Sequence, residues 1–198
     1  MVKKYADTKD KIFQAAVRLF SDRGYNNVSM REIAASVNVK VSAIYNHYAS
    51  KEDILKSLYK YYSDNLQQVT PKLNTLLKEA ETLPPHEVFK KLDFHFDPEI
   101  EETADRIIAI SIMQYRSDKY SARFIYDNLL AISENLLLPL LKRMIELKKI
   151  EPIDIDAFHC LISSFAFGAA IRNHSEFAVT LKTWQNAFNM AFSLIKPC

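Results

Sequence analysis

Apolar residues along the chain recur at intervals of three and four rather than alternating, and no apolar run is closed by an Asn-Gly or Asp-Gly turn, so the whole chain reads as helix. The first stripe, Ile12, Ala15, Ala16, Leu19 and Phe20, predicts a helix that Asp7 can cap and Gly24 can end in a left-handed conformation. Ser29-Met30-Arg31-Glu32 is a capping box, so a second helix starts at Met30 and carries Ile33, Ala34 and Val37 inward. A three-residue turn, Asn38-Val39-Lys40, separates it from a short stripe of Val41, Ile44, Tyr45 and Tyr48. Ser50-Lys51-Glu52-Asp53 reads as a second capping box and opens a longer helix carrying Ile54, Leu55, Leu58, Tyr59 and Tyr62.

Beyond residue 66 the helices lengthen, punctuated by prolines. Asp97-Pro98 predicts an N-cap and first helical residue of a helix to about Ser117. An amphipathic stretch from about 121 to 149 contains Pro139, which predicts a kink or break. Helices over 154–172 and 180–195 complete the chain, the first of them apolar on nearly all faces. The expected fold class is therefore all-α: a three-helix head with a helix-turn-helix at about 29–48 within residues 6–66, followed by a helical C-terminal domain over 67–198.

Composition sharpens this picture by exclusion. Two glycines, Gly24 and Gly168, are about 1% of the chain against about 7% in ordinary proteins, and neither a GxGxxG nor a P-loop can be written with them. No uninterrupted apolar run approaches the roughly 18 residues of a membrane span, which predicts a soluble, cytoplasmic protein without membrane partners. Cys160 and Cys198 offer neither a disulfide framework nor a metal-ligand spacing, in keeping with a reducing compartment. Net charge is +2, but residues 1–60 hold 11 Lys/Arg against 6 Asp/Glu and the remainder 15 against 18, so a basic head precedes an acidic body.

The short helix pair in that basic head has the spacing of a helix-turn-helix, in which one helix braces and the other enters the major groove; an ordinary helical corner has the same spacing. Lys40, Ser42, Ala43, Asn46 and His47, on the outer side of the second helix, are small or polar enough to approach base edges and phosphates. Lys51, at the start of the following helix, sits where an anion is favoured.

These residues carry a resemblance. The run Ile12-x-x-Ala15-Ala16-x-x-Leu19-Phe20-x-x-x-Gly24-Tyr25, Ser29-Met30-Arg31-Glu32-Ile33-Ala34, Val37-x-Val39 and Ala43-Ile44-Tyr45-x-His47-Tyr48-x-Ser50-Lys51-Glu52-x-Ile54-Leu55 resembles the DNA-binding domain of the tetracycline-repressor (TetR) family. It covers about the first third of the chain; the rest is similar only in length and helical character. The resemblance implies that Arg31 reaches phosphate or a guanine edge, that Lys40, Val41, Ser42 and Ala43 read bases, and that Tyr45 and His47 clamp phosphates. It implies a ligand-responsive regulator, most often a repressor, bound as a homodimer to a palindromic double-stranded operator and released by a small-molecule effector. The sequence departs from the family in placing Asn38 where glycine is frequent in the turn, and Lys40 where a small hydroxyl residue often caps.

The resemblance also implies that the last two helices form the dimer interface. The sequence agrees on its own terms, since Phe158, Ile162, Phe165, Ala169, Trp184, Phe188 and Phe192 supply apolar and small surfaces that a lone chain leaves uncovered. Met113, Tyr115, Arg116, Tyr126 and His159 are the candidate effector contacts, although most aromatics at helical spacing are core. Asp93, His95 and Asp97 with His86 lack the spacing of a helical zinc site, and no cysteine or serine has a nucleophile's surroundings, so no metal, cofactor or catalytic residue is assigned. The other classes weighed are an architectural DNA-binding protein without effector, and an all-α carrier or enzyme that keeps the head as a cap.

Overall fold

The computed structural model describes residues 7–92, 95–172 and 181–198, with the side chains of all of these except 166, 169–172, 181–185 and 188. Every regular element among the described residues is helical, which bears out the all-α reading; one isolated antiparallel bridge joins Ile150 to Pro197. The helices are α1 (Thr8–Arg23), α2 (Met30–Ser36), α3 (Val41–Tyr45), α4 (Lys51–Val69), α5 (Leu73–Thr82), α6 (Pro85–Lys90), α7 (Pro98–Gln114), α8 (Lys119–Ile125), α9 (Leu138–Glu146), α10 (Ile155–Arg172) and α11 (Leu181–Ser193). A single 3₁₀ turn, Tyr25–Asn27, links α1 to α2.

By packing, the chain forms two compact units. The head unit comprises Met1–Asn65 together with Pro98–Phe124; the second comprises Leu66–Asp97 and Ile125–Cys198. The head unit thus takes in α7, a later segment than the 6–66 of the sequence boundary. The reason is visible on α1: Arg106 of α7 donates to Ser21 Oγ (2.9 Å) and Asp22 Oδ1 (2.8 Å).

Inside the head unit, Ile12, Ala16, Phe20, Ile33, Ile44, Ile54 and Leu58 are fully closed from solvent, as the helical stripes predict. Each such large aliphatic or aromatic side chain contributes about 1.5–3 kcal/mol through removal from water. Helix starts and stops are less literal. Asp7 stands at the N-cap of α1 without using its side chain as a cap, whereas Gly24 ends the helix at φ +81°, a value that disfavours any side chain.

In the second unit, Leu76, Leu140, Leu141, Met144, Phe158, Ile162 and Phe192 share one core, with Phe192 against Phe89 (4.7 Å between centroids) and edge-on to Phe158 (5.5 Å). The break expected at Pro139 is instead a change of helical pitch: π-helical turns at Tyr126–Leu130 and Ser133–Leu137 precede α9. Pro139 has no amide to give and its ring crowds the carbonyl of Asn135, so opening the preceding turn relieves both. Tyr126 donates to Glu134 Oε2 across the two π segments (2.9 Å). By length and composition the continuous helical stretch Lys119–Glu146 is long and apolar enough to span a bilayer, which a search for uninterrupted apolar runs misses. Its Leu136, Leu137, Leu140, Leu141 and Met144 are buried in the unit's own core, the behaviour of a core helix.

Candidate nucleic-acid interface

Ser29 caps α2 as the sequence predicts. Its hydroxyl accepts from the Glu32 amide (3.3 Å) while Glu32 Oε2 accepts from the Ser29 amide (2.8 Å), and Arg23 closes the far side of the carboxylate at 2.6 Å. Hydrogen bonds from Ser29, and then Arg23, hold the Glu32 carboxyl down at about 2. The second expected box is only half built: Ser50 Oγ accepts from the Asp53 amide (3.1 Å), but the Asp53 carboxylate takes the amide of Ala49 (3.0 Å) rather than that of Ser50.

Between α2 and α3 the chain turns in a Schellman motif. The Asn38 amide reaches Ala35 O, the Val39 amide reaches Ala34 O (3.0 Å), and Asn38 takes φ 56°. Asparagine enters this left-handed region more readily than most residues, which is how the turn forms without glycine. The turn ends at Lys40, the N-cap of α3, whose side chain makes no cap, as its chemistry requires.

Alternation of burial on α3 then sorts the predicted residues. Ile44 and Tyr48 are buried and anchor the helix in the head's core, whereas Lys40, Ser42, Tyr45 and Asn46 are exposed and Val41, Ala43 and His47 are at least partly so. Tyr45 and Tyr48, which sequence alone leaves open between core and surface, therefore separate: Tyr45 is 54% exposed and Tyr48 is core. Arg31 is exposed near the start of α2 on the same chain segment. Neither Arg31 nor Lys40 makes an ion pair among the described residues.

Lys51 departs from expectation. Its ammonium donates to Tyr25 O and Val28 O (both 2.9 Å) and stands 4.2 Å from the Tyr25 ring centre, so it ties α4 to the α1–α2 connection. Desolvation there lowers its pKa, only partly offset by Glu32. With two of its three donors engaged, Lys51 acts first as a positioning residue, a role the sequence did not signal because both acceptors are main-chain oxygens.

Three comparisons bear on this arrangement. A family model described as "Bacterial regulatory proteins, tetR family" matches residues 12–62, the whole of the helix-turn-helix with its supports. Over this segment the chain is similar to the TetR family. Among curated TetR-type relatives, the biofilm operon icaADBC HTH-type negative transcriptional regulator IcaR of Staphylococcus epidermidis is 39% identical over 62 residues, covering 29% of this chain and 34% of the relative. IcaR of Staphylococcus aureus strain Newman is 39% identical over 61 residues, 31% of this chain and 33% of that protein. The match thus spans about a third of each curated relative. Solved TetR-type structures share the whole fold at low identity: PfmR from Thermus thermophilus has a TM-score of 0.65 at 17% identity, over 94% of this chain and 96% of the other. A Saccharomonospora viridis chain in complex with choline has a TM-score of 0.64 at 16% identity, over 93% and 95%.

The residues assigned to the TetR-type C-terminal half fare unevenly. Phe158, Ile162 and Phe192, expected at a dimer interface, are already closed within the second unit's own core, Phe158 and Phe192 in an aromatic triad with Phe89. Phe165 is half-buried, and the side chains of Ala169, Trp184 and Phe188 lie outside the described residues. Among the described residues, the large apolar side chains left open on these two helices are Leu161 (49% exposed), which sequence reasoning placed in no site, and Met190 (68%), with Leu194 (65%) just beyond α11. Of the candidate effector contacts, Met113, Tyr115 and Arg116 are exposed in the head unit, and Tyr126 is exposed in the second. His159, in the second unit, keeps a buried Nε2 without a hydrogen-bond partner among the described residues. Of Asp93, His95, Asp97 and His86, to which the sequence assigns no metal, Asp93 lies outside the described residues.

Proposed function

We propose that this chain is a DNA-binding transcriptional repressor of the bacterial cytoplasm that works as a symmetric pair on a palindromic operator and is released by a small-molecule effector. The observation that carries the reading is the split on α3: Ile44 and Tyr48 anchor it while Lys40, Ser42, Tyr45 and Asn46 face outward, beside an Arg31 that makes no ion pair among the described residues. A guanidinium and an ammonium of this kind suit phosphate and guanine edges, and short polar side chains suit adenine and thymine edges. The relatives that share this head are named as negative regulators, which supports the sign of regulation. The 6–66 segment is the DNA-binding module in this reading, with Val41, Ala43 and His47 completing its contact set and no catalytic step assigned.

Pairing is proposed through the outward side of α10 and α11, at Leu161, Met190 and Leu194, with Phe165 at its edge. Such a C₂ pair sets the two heads on half-sites about one helical turn apart. His159, with its unsatisfied ring nitrogen, is the residue best suited to meet an effector; one neighbour of this fold holds choline.

Selection of bound sequences from a random duplex pool, followed by titration of the winner, tests the reading. The expected product is an inverted repeat. Tyr45→Ala and Arg31→Ala weaken its binding by roughly 1–3 kcal/mol each, and Met190→Glu with Leu194→Glu yields a single-subunit species that loses the operator. A wild-type protein that enriches no duplex sequence at low salt overturns the proposal.

A further inference from the structure

The operator-reading face leaves a second basic surface of the head unused. Lys11, Gln14 and Arg18 recur at three and four along α1, share one face and are exposed. With Ala15 they wall an open groove of about 390 Å³ whose other side is Ser36 and Val37, at the end of α2. No carboxylate lines it.

Of the acidic groups close in sequence, Asp22, four residues after Arg18, is engaged by Arg106, and Glu32 of α2 by Ser29 and Arg23, while Asp7 and Asp10 stand exposed at the Lys11 end. Lys11 and Arg18 make no ion pair among the described residues. At the end of α2 the carbonyls of Ile33, Ala34 and Ala35 are engaged, accepting from Ser36 Oγ and the amides of Val37, Val39 and Asn38.

The spacing selects the ligand. Seven helical residues put Lys11 and Arg18 about 10 Å apart along α1. That is too far to close on one small anion and suits two separate phosphates of an extended polyanion such as a duplex strand, whose charges recur roughly every 3.4 Å of helix axis. The groove stops at Val37, one short turn before α3.

We propose that this groove is a second track for the duplex backbone: Lys11 and Arg18 each hold a phosphate outside the bases that α3 reads, with Gln14 donating between them. The track rests on the DNA-binding reading above and adds affinity without sequence preference. The test titrates wild type, the double variant Lys11→Gln with Arg18→Gln, Arg31→Ala and the distant charge control Lys60→Ala, on the selected operator with its flanks progressively extended, over a range of salt. The double variant is expected to weaken binding only on the extended duplexes. It lowers the slope of log affinity against log salt by about 2 and leaves the selected sequence unchanged, while Lys60→Ala matches wild type.

Equal slopes and affinities for the double variant and wild type on every length, with Arg31→Ala still impaired, remove the track and leave the operator reading standing. Protection of the groove by polyglutamate but not by flanking DNA assigns it to an acidic protein instead and overturns the proposal. Failure of wild type to bind any duplex overturns both. Far-UV circular dichroism and the thermal midpoint of the double variant separate these outcomes from misfolding, since both residues are surface side chains.

Discussion

The turn after α2 and the turn after α9 have the same backbone solution with different residues in it. At the first, Asn38 stands at φ 56°; at the second, Lys148 stands at φ 55°, its amide on Ile145 O and the next amide on Met144 O (both 2.9 Å). Hydrogen bonding is therefore equivalent, and what differs is the steric cost of the side chain in the left-handed region, which asparagine bears better than lysine. The head uses a residue suited to its turn where the orientation of α3 depends on it. The second unit tolerates a poorly suited one where the core of Leu140, Leu141 and Met144 holds α9 in place anyway.

That contrast can be pressed from the packing inward. Ile44→Ala empties a fully buried site behind the reading helix and is expected to cost about 2–5 kcal/mol, with operator binding lost alongside; denaturant titration and gel-shift read both. Leu140→Ala should cost a similar amount of stability in the other unit. If Ile44→Ala proves nearly neutral, α3 is not anchored as described. Asn38→Val comes next, at about 1–2 kcal/mol, because a β-branched residue fits the left-handed region worst. Lys148→Gly is expected to gain up to about 1 kcal/mol, and Asn38→Gly only a fraction of that. Equal gains at the two positions would erase the distinction between the turns.

The smallest effects are those of pH. Glu32 titrates near 2 when folded, below its ordinary 4.5, so its capping box contributes stability that is intact above about 4.5 and lost as pH falls through about 2. Glu32→Gln should flatten that acid limb in a thermal-shift series. Asp105 has the opposite sign. Burial, and then Glu101, raise its carboxyl to about 6, so its contribution is fully present below 3.8 and lost as pH rises through about 6. Asp105→Asn should therefore raise the thermal midpoint at about pH 7.5, and the gain should vanish below about pH 4.

How far the sequence carried depended on how local the determining contacts are. The head was legible because its signals are short-range: Ser29 and Glu32 cap each other across three residues, and the stripes through Ile12, Phe20, Ile33 and Ile44 are closed as their spacing implies. What escaped was every case settled by a distant partner. Lys51 goes to main-chain oxygens 23 and 26 residues away, and Arg106 binds α1 from 84 residues along. Phe158 and Phe192 looked like an intermolecular surface because their stripes are apolar, but periodicity reports that a face is covered and is silent on which chain covers it. Among the described residues, Leu161, Met190 and Leu194 are the large apolar side chains exposed on or beside those two helices.

The two wide turns ahead of Pro139 bear on how the second unit can change over time. Each holds one more residue per hydrogen-bonded loop than its surroundings, so each takes up one residue, about 100° of an uninterrupted spiral, before α9 begins. Removing a single amino acid from one of them lets that turn revert to ordinary pitch with α9 kept at its azimuth, and adding one can be absorbed as a further bulge. Length variation of this kind is thereby taken up within this half, without moving α9 or touching the reading head.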